Sequence, residues 1–488
     1  MNTIHRSKTS NAPQVFRTSA TCIAALLMAH QAVFAAVKPP AQASAAGYLL
    51  NTFSTTAFTT TTVNTVEKAT PFTTGYQWYP SKYYYNSATN SESIILGADN
   101  SIVLKSNGAP NGNNNGQISS FSADPSKTAG FVGTGFGGGA YFEAELAFDP
   151  AIVFKKWDTI GSGKAGWPSW WGMAVEHLAS GTAPGNFWYL YDSKQTDKGY
   201  AHFIETDFFE YDVTNASDPD RWGGNMADWF GQWTRETGYA SVQTPWLNKH
   251  MRVPKGTDYT KFHKYGFLWV PATPTSNGYA KYYFDDVQVG LAPVTWTQYQ
   301  GQAPPVGSAS WAYGILDQQH IGLILGSGID MPMTVKSVNV WQKSASQNIS
   351  SGTLYDTLYD LKKAESQANL VIDSASPADF NGDTFRAVRA ASGPGSLVYH
   401  LANIESFTAR VFSQATTDKV RFEVSSDNVN WKSIATSSTD PIATLNGWSY
   451  RDVSNRKSIP GGSHYLRITI NLNERSTGDP QIGQVRIN

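Results

Sequence analysis

The sequence predicts an all-β protein built as two successive β-sandwich or barrel units. Three observations lead there. Short runs of alternating apolar and polar residues recur along most of the chain, separated by Gly, Asn and Pro. Aromatic residues reach 13% of the 488 positions while charged residues stay at 15%, a composition that suits pleated, half-buried surfaces. Long amphipathic helical stretches are almost absent, and the length exceeds what one ordinary core accommodates.

The first 35 residues have the pattern of a secretion signal. Arg6, Lys8 and Arg17 precede the apolar run "CIAALLMAHQAVFAA", and small residues follow, with cleavage expected after Ala35 or within "AQASAAG". The run is short and broken by His30 and Gln31, so it makes a poor membrane span. Removing residues 1–35 leaves 34 basic against 38 acidic residues, a charge of −4. Nothing in that balance attracts nucleic acid or an anionic membrane. The single cysteine, Cys22, lies in the leader, so a processed chain has no thiol for catalysis or metal binding. No later apolar run is long enough for a transmembrane helix. The oligomeric state is not legible.

Residues 36–75 are rich in Ala, Pro and Thr and read as a linker or an edge segment. From 76 to 343 the strand candidates include "SIVLKS" (101–106), "GAYFEAELAF" (139–148), "HKYGFLWV" (263–270), "YAKYYFDDVQVG" (279–290) and "MTVKSVNVWQ" (333–342). Residues 344–376 contain "LYDTLYDLKKAESQANLVI", whose apolar residues fall near helical spacing, and a helical connector is expected there. Residues 377–488 return to strands, "SLVYHLA", "FTARVF", "KVRFEVSS", "YLRITI" and "QIGQVRI", enough for a second, smaller sandwich.

Chemistry concentrates in "HFIETDFFEYD", residues 202–212, with acids at Glu205, Asp207, Glu210 and Asp212. A helix would set Glu205 and Asp207 about 160° apart. A strand puts them on one face. A regular strand then turns Glu210 away, whereas a β-bulge at Phe208–Phe209 returns it to the face of the other two. Both strand readings are open at this level. Retaining glycoside hydrolysis needs two carboxyls about 5–5.5 Å apart, and neighbouring same-face positions supply about that separation. Crowded acids cannot all ionise, so one stays protonated and can act as an acid. The bland alternatives are acids on a solvated strand, or ligands for calcium.

"ETDFFE" resembles the E-x-D-x-x-E signature of glycoside hydrolase family 16, the laminarinase- and lichenase-like enzymes. Further segments resemble the family in the same order: "GAYFEAELAF", "GWPSWWGM" (166–173), "FHKYGFLWVP" (262–271), "YYFDDVQVG" and "LILGSGIDMPMTVKSVNVWQ" (323–342). The resemblance covers about residues 80–343. It implies a concave, concanavalin A-like β-jelly roll with Glu205 as nucleophile, Asp207 assisting and Glu210 as acid/base. It departs at Thr206 and Phe208–Phe209, at Asp286 where a turn Gly is common, and throughout 211–250. The implied function is a secreted, endo-acting retaining glycosidase of a β-linked polysaccharide. The mild charge and many Trp favour a β-1,3 or mixed-linkage β-glucan over a sulfated galactan. A transglycosylase on the same residues and a non-catalytic glycan-binding protein are the alternatives. The chemistry requires no cofactor, and a structural calcium is left open.

Sugar faces stack on indoles, so Trp167, Trp170, Trp171, Trp188, Trp229 and Trp233 are the candidate substrate platforms; Trp222 joins them as a cleft or core residue. Trp170 or Trp171 and Trp188 are favoured by the resemblance. His202 falls at an odd offset from Glu205, and His263 reads as structural. In the C-terminal unit, "VRFEVSSDNVNWKSI" (420–434) resembles galactose-binding-like sandwiches of the discoidin type. Trp431 is expected in its core, and Trp448 and Tyr450 are candidates for a binding edge.

Overall fold

The computed structural model describes residues 37–65, 74–80, 93–105, 116–123, 131–160, 167–175, 199–213, 216–234, 238–239, 249–298, 308–326, 332–358, 360–380, 383, 385–414 and 419–488. The leader-like segment and Trp188 lie outside them. Among the described residues no helix is long and apolar enough to cross a membrane.

The expected strands form, and they pair antiparallel into layered sheets. In the N-terminal part, Ala140–Phe148 sits between His263–Val270 and Met333–Gln342 in an eight-stranded back sheet, with Gly278–Phe284 and Val287–Trp296 continuing it. A second eight-stranded sheet centres on the acidic strand Gly199–Glu210, between Ser169–Ala174 and Arg221–Thr234. The two sheets pack through aromatic rings on their inner faces. Phe208 stacks on Phe142 at 5.2 Å and lies 4.7 Å from Phe267. Each such ring buried contributes roughly 1.5–3 kcal/mol.

Of the two readings of 36–75, linker or edge segment, the described residues adopt the second. Leu50–Thr55 forms a strand on Met333–Gln342, and Gln42, in the short helix Ala41–Ala45, donates to Tyr141 Oη at 2.7 Å and to Asp286 at 2.9 Å. Asp285 and Asp286 both adopt positive φ, 47° and 67°, the conformation a two-residue hairpin turn requires and a glycine takes with less strain. Asp285 offsets this by accepting the Lys264 N–H at 2.9 Å and bonding His263 Nδ1 at 2.7 Å. His263, at the start of its strand, thereby braces the neighbouring turn.

The helical connector expected over 344–376 does not form. That stretch holds the short strands Ile349–Ser350, Leu354–Asp356, Ser366–Ala368 and Leu370–Asp373. Leu354–Asp356 pairs with the C-terminal strand Gln481–Ile487. Asp356 accepts the Leu358 N–H at 2.8 Å, and Leu358 has a φ of 55°. A side chain that bonds its own nearby backbone competes with helix, and the ladder partner outweighs the apolar spacing.

The C-terminal part is a second sandwich of an eight-stranded and a five-stranded sheet, with its own core around Phe407 and Phe422, stacked at 5.0 Å. Trp431 is not in that core; it is half-buried, with the Arg467 guanidinium 4.1 Å over its ring. Trp448 and Tyr450 are instead buried with Phe380 and Phe412 in a satellite cluster, which removes them as a binding edge.

Asp317 ties the back sheet to the short helical segment it sits on. It accepts from Trp269 Nε1 at 2.9 Å, Trp296 Nε1 at 2.7 Å and the Ala272 N–H at 2.9 Å. Asp317→Ala leaves three donors unmet at once and is expected to lower stability by roughly 2–5 kcal/mol. Urea unfolding of the two proteins checks this, and an unchanged midpoint would contradict it.

Candidate active site

The bulged reading is the one the chain adopts. Against Arg221–Thr234 the ladder runs regularly from Gly199↔Trp233 to Asp207↔Asn225, then resumes at Glu210↔Gly223. Against Ser169–Ala174, Asp207 pairs Trp171 and Phe209 pairs Trp170, which leaves Phe208 as the inserted residue. The side chains agree. Phe208 and Phe209 are consecutive, yet both enter the core, Phe208 on Phe142 and Phe267, Phe209 on Tyr265 at 4.2 Å and Trp222 at 5.6 Å. Two successive inward residues cost one step of the alternation, so Asp207 and Glu210 share a face. Glu205, two before Asp207 on regular strand, shares it as well.

That face is closely hemmed. Glu205 and Asp207 are 7% and 4% exposed, and Glu210 keeps partial exposure. Asn225, directly across from Asp207, hydrogen-bonds its carboxyl. The other Asp207 oxygen, Oδ1, is buried with no hydrogen-bond partner among the described residues. Trp167 Nε1 donates to Glu210 Oε1 at 2.8 Å.

These surroundings decide protonation. Burial holds the Asp207 carboxyl well above the usual range, and the charges of Glu210 and Glu205 add to it, against the opposing bond from Asn225. Burial pushes Glu210 up to about 8; Glu205 and Asp212 push the same way, while the Trp167 N–H favours the carboxylate and opposes them. Near neutral pH the face therefore presents protonated Glu210 as a proton donor on one rigid strand.

The indoles are sorted less simply than the acids. Trp170 is fully buried, edge-on to Phe208 at 5.1 Å, and belongs to the core. Trp222 is core too, against Phe209 and Tyr265. Trp171 lies on the acids' face opposite Asp207 but is only 2% exposed, so it offers no open platform. Trp167 serves as a hydrogen-bond donor to Glu210. Trp229 and Trp233 pair in register with Phe203 and Gly199, and their side chains, like that of His202, lie outside the described set. Asn225 was missed because no motif marks a lone Asn on the next strand. Among the described residues no group of three or more His, Cys, Asp or Glu is arranged to hold a metal ion.

No family model matches the chain, and no curated protein matches it. Solved structures do. An endo-1,3-β-glucanase from Streptomyces sioyaensis is 14% identical, with a TM-score of 0.34, over 62% of this chain and 96% of its own. A glycosyl hydrolase family 16 protein from Mycobacterium smegmatis is 14% identical, TM-score 0.29, over 60% of this chain and 100% of its own. A family 6 carbohydrate-binding module from Clostridium cellulolyticum, in complex with xylose, is 15% identical, TM-score 0.18, over 26% of this chain and 94% of its own.

Trp167→Phe keeps an aromatic ring, smaller than the indole, and removes the N–H. Without that donor the charged form of Glu210 loses support, so the group is expected to stay protonated to higher pH. Infrared titration of the carboxylic C=O band, with Glu210→Gln as the reference, reads this directly; an unmoved titration would show that the bond does not act on the acid.

Proposed function

We propose that this chain is a retaining, endo-acting hydrolase of a β-linked polysaccharide. The observation that supports it most is the bulge that gathers Glu205, Asp207 and Glu210 on one hemmed face with Glu210 protonated near neutral pH. Glu205 attacks the anomeric carbon as the bond to the leaving oxygen breaks, and the Glu210 proton passes to that oxygen. A glycosyl ester on Glu205 results. Glu210, now a carboxylate, takes a proton from water as the water attacks the same carbon and Glu205 departs. Asp207, between the two on the same face, assists by shaping how the pair titrates. Each step uses a named side chain or water, and no cofactor is invoked.

The substrate reading is a β-1,3 or mixed-linkage β-glucan, supported by the near-neutral charge of the whole chain, formally −1. A sulfated polymer would want a cationic cleft. The second sandwich is read as a module that anchors the enzyme to polysaccharide. The leader-like residues support export from the cytoplasm, and N-terminal sequencing of the exported protein is expected to begin after Ala35 or a few residues later.

The test is hydrolysis of a β-glucan panel, with agar and carrageenan alongside, followed by reducing ends and by the anomeric configuration of the first product. Retention is expected. Glu210→Gln should lower kcat/KM on polysaccharide by about 10²–10⁴-fold, and Glu205→Gln should abolish turnover. Binding without cleavage by all three proteins would identify a glycan-binding protein instead. Products longer than the substrate, in the presence of an acceptor oligosaccharide, would identify a transglycosylase.

A further inference from the structure

A cleft of about 1150 Å³ lies between the N-terminal strands and the C-terminal sandwich, and none of the three acids lines it. One wall is the outer face of the eight-stranded C-terminal sheet. Phe407, Ala409 and Val411 of the strand Phe407–Ser413 are in the core, which turns Thr408 and Arg410 to that face. Their ladder partners on Ser449–Asn455 are Ser454 and Asp452. Asp452 accepts from Arg410 Nε at 2.9 Å and from Nη2 at 3.0 Å, and the guanidinium rests on the Tyr450 ring, 4.4 Å from its centroid. Nη1 remains as a donor on this wall. The opposite wall includes Ala272, Gln298 and Asp317, and Asp317 steadies it through its bonds to Trp269, Trp296 and Ala272. The two walls are held at a fixed spacing. Ile349–Ser350 pairs with Phe131–Gly135 of the N-terminal part, and Leu354–Asp356 pairs with Gln481–Ile487 of the C-terminal sandwich, so only residues 351–353 separate the two ladders. Ser351 accepts the Gly133 N–H at 2.7 Å, and Thr353 donates to Asn488 Oδ1 at 2.6 Å. Arg486, on the last strand, donates to the Gln347 carbonyl at 3.0 Å and bonds His320 Nε2 at 3.1 Å.

Protein interiors close up around few voids, yet these two locked bodies keep a space of the size that small-molecule sites occupy. Its chemistry selects the class of ligand. The lining sets Asp317, Asp440 and Asp452 against Arg410 and Arg486, so neither sign of charge dominates and no ionic ligand is called for. A carboxylate, a guanidinium N–H and the Gln298 amide offer acceptors and donors together, which is what the vicinal hydroxyls of a sugar pair with. We propose that this cleft is a second saccharide site. It takes a neutral stretch of β-linked glycan, whose hydroxyls bond Asp452 and Arg410 Nη1 on one wall and Gln298 on the other. This rests on the polysaccharide reading given above. It makes the C-terminal sandwich one wall of a site shared with the N-terminal part, held in fixed register with it.

The experiment uses the full chain in a Glu205→Gln background and titrates it calorimetrically with a β-1,3-linked glucohexaose. Two sites are expected. Asp440→Trp, which places an indole at the exposed rim of the cleft, should remove one of them and leave the other. Asp452→Asn keeps the shape of the side chain and removes its charge, and should weaken the same site by about tenfold. Unfolding midpoints of both variants confirm that the fold is kept. In the active chain, Asp440→Trp should raise KM on the polysaccharide by about tenfold, with the loss confined to KM. A single binding site indifferent to both variants, or an equal loss on a short aryl glycoside, would overturn the proposal. Cleavage of β-glucan accompanied by that indifference would overturn the cleft site and leave the hydrolase reading standing. A wild-type chain that cleaves nothing, yet binds the hexaose at a site that Asp440→Trp removes, would overturn the hydrolase reading and leave the cleft site standing.

Discussion

Everything at this site follows from where Phe208 and Phe209 go. Two large rings side by side in sequence are both drawn between the sheets, one onto Phe142 and Phe267, the other onto Tyr265 and Trp222. A strand cannot satisfy both without an extra residue in its ladder. The core thereby sets the aim of the acids. The two rings fill the inter-sheet space, and the carboxyls are placed as a consequence of that packing.

The same constraint shapes the electrostatics. A rigid strand prevents the acids from separating, and the neighbouring strands exclude water from Asp207 and much of Glu205. Charge removed from water without a partner is costly, so the row takes up protons instead of unfolding the sheet. Asn225 and the Trp167 indole moderate this by bonding Asp207 and Glu210. The site is a compromise between a large apolar core that keeps the strand in place and a row of like charges that resists being placed.

Much of this was legible in the residues. The alternation of "GAYFEAELAF" and "MTVKSVNVWQ" located two adjacent strands of the back sheet. The five-residue offset between Glu205 and Glu210 left the bulge as one of two readings, because period-two patterning cannot say which way a Phe pair will pack. Long-range pairing was invisible: Leu354, Leu358 and Leu361 have helical spacing, yet the strand Gln481–Ile487 claims the first of them. Trp170 and Trp171 are adjacent on a strand, so one had to face the core; the motif alone did not say which.

The most direct measurement is a crystal structure of the protein trapped with a 2-fluoro glycoside that halts at the glycosyl-enzyme stage. The account predicts the sugar bonded to Glu205, with the Glu210 carboxyl on the same face at the separation of about 5–5.5 Å that retention requires. A sugar attached elsewhere, or Glu210 found on the core side of the sheet with Phe208 or Phe209 turned outward, would contradict it.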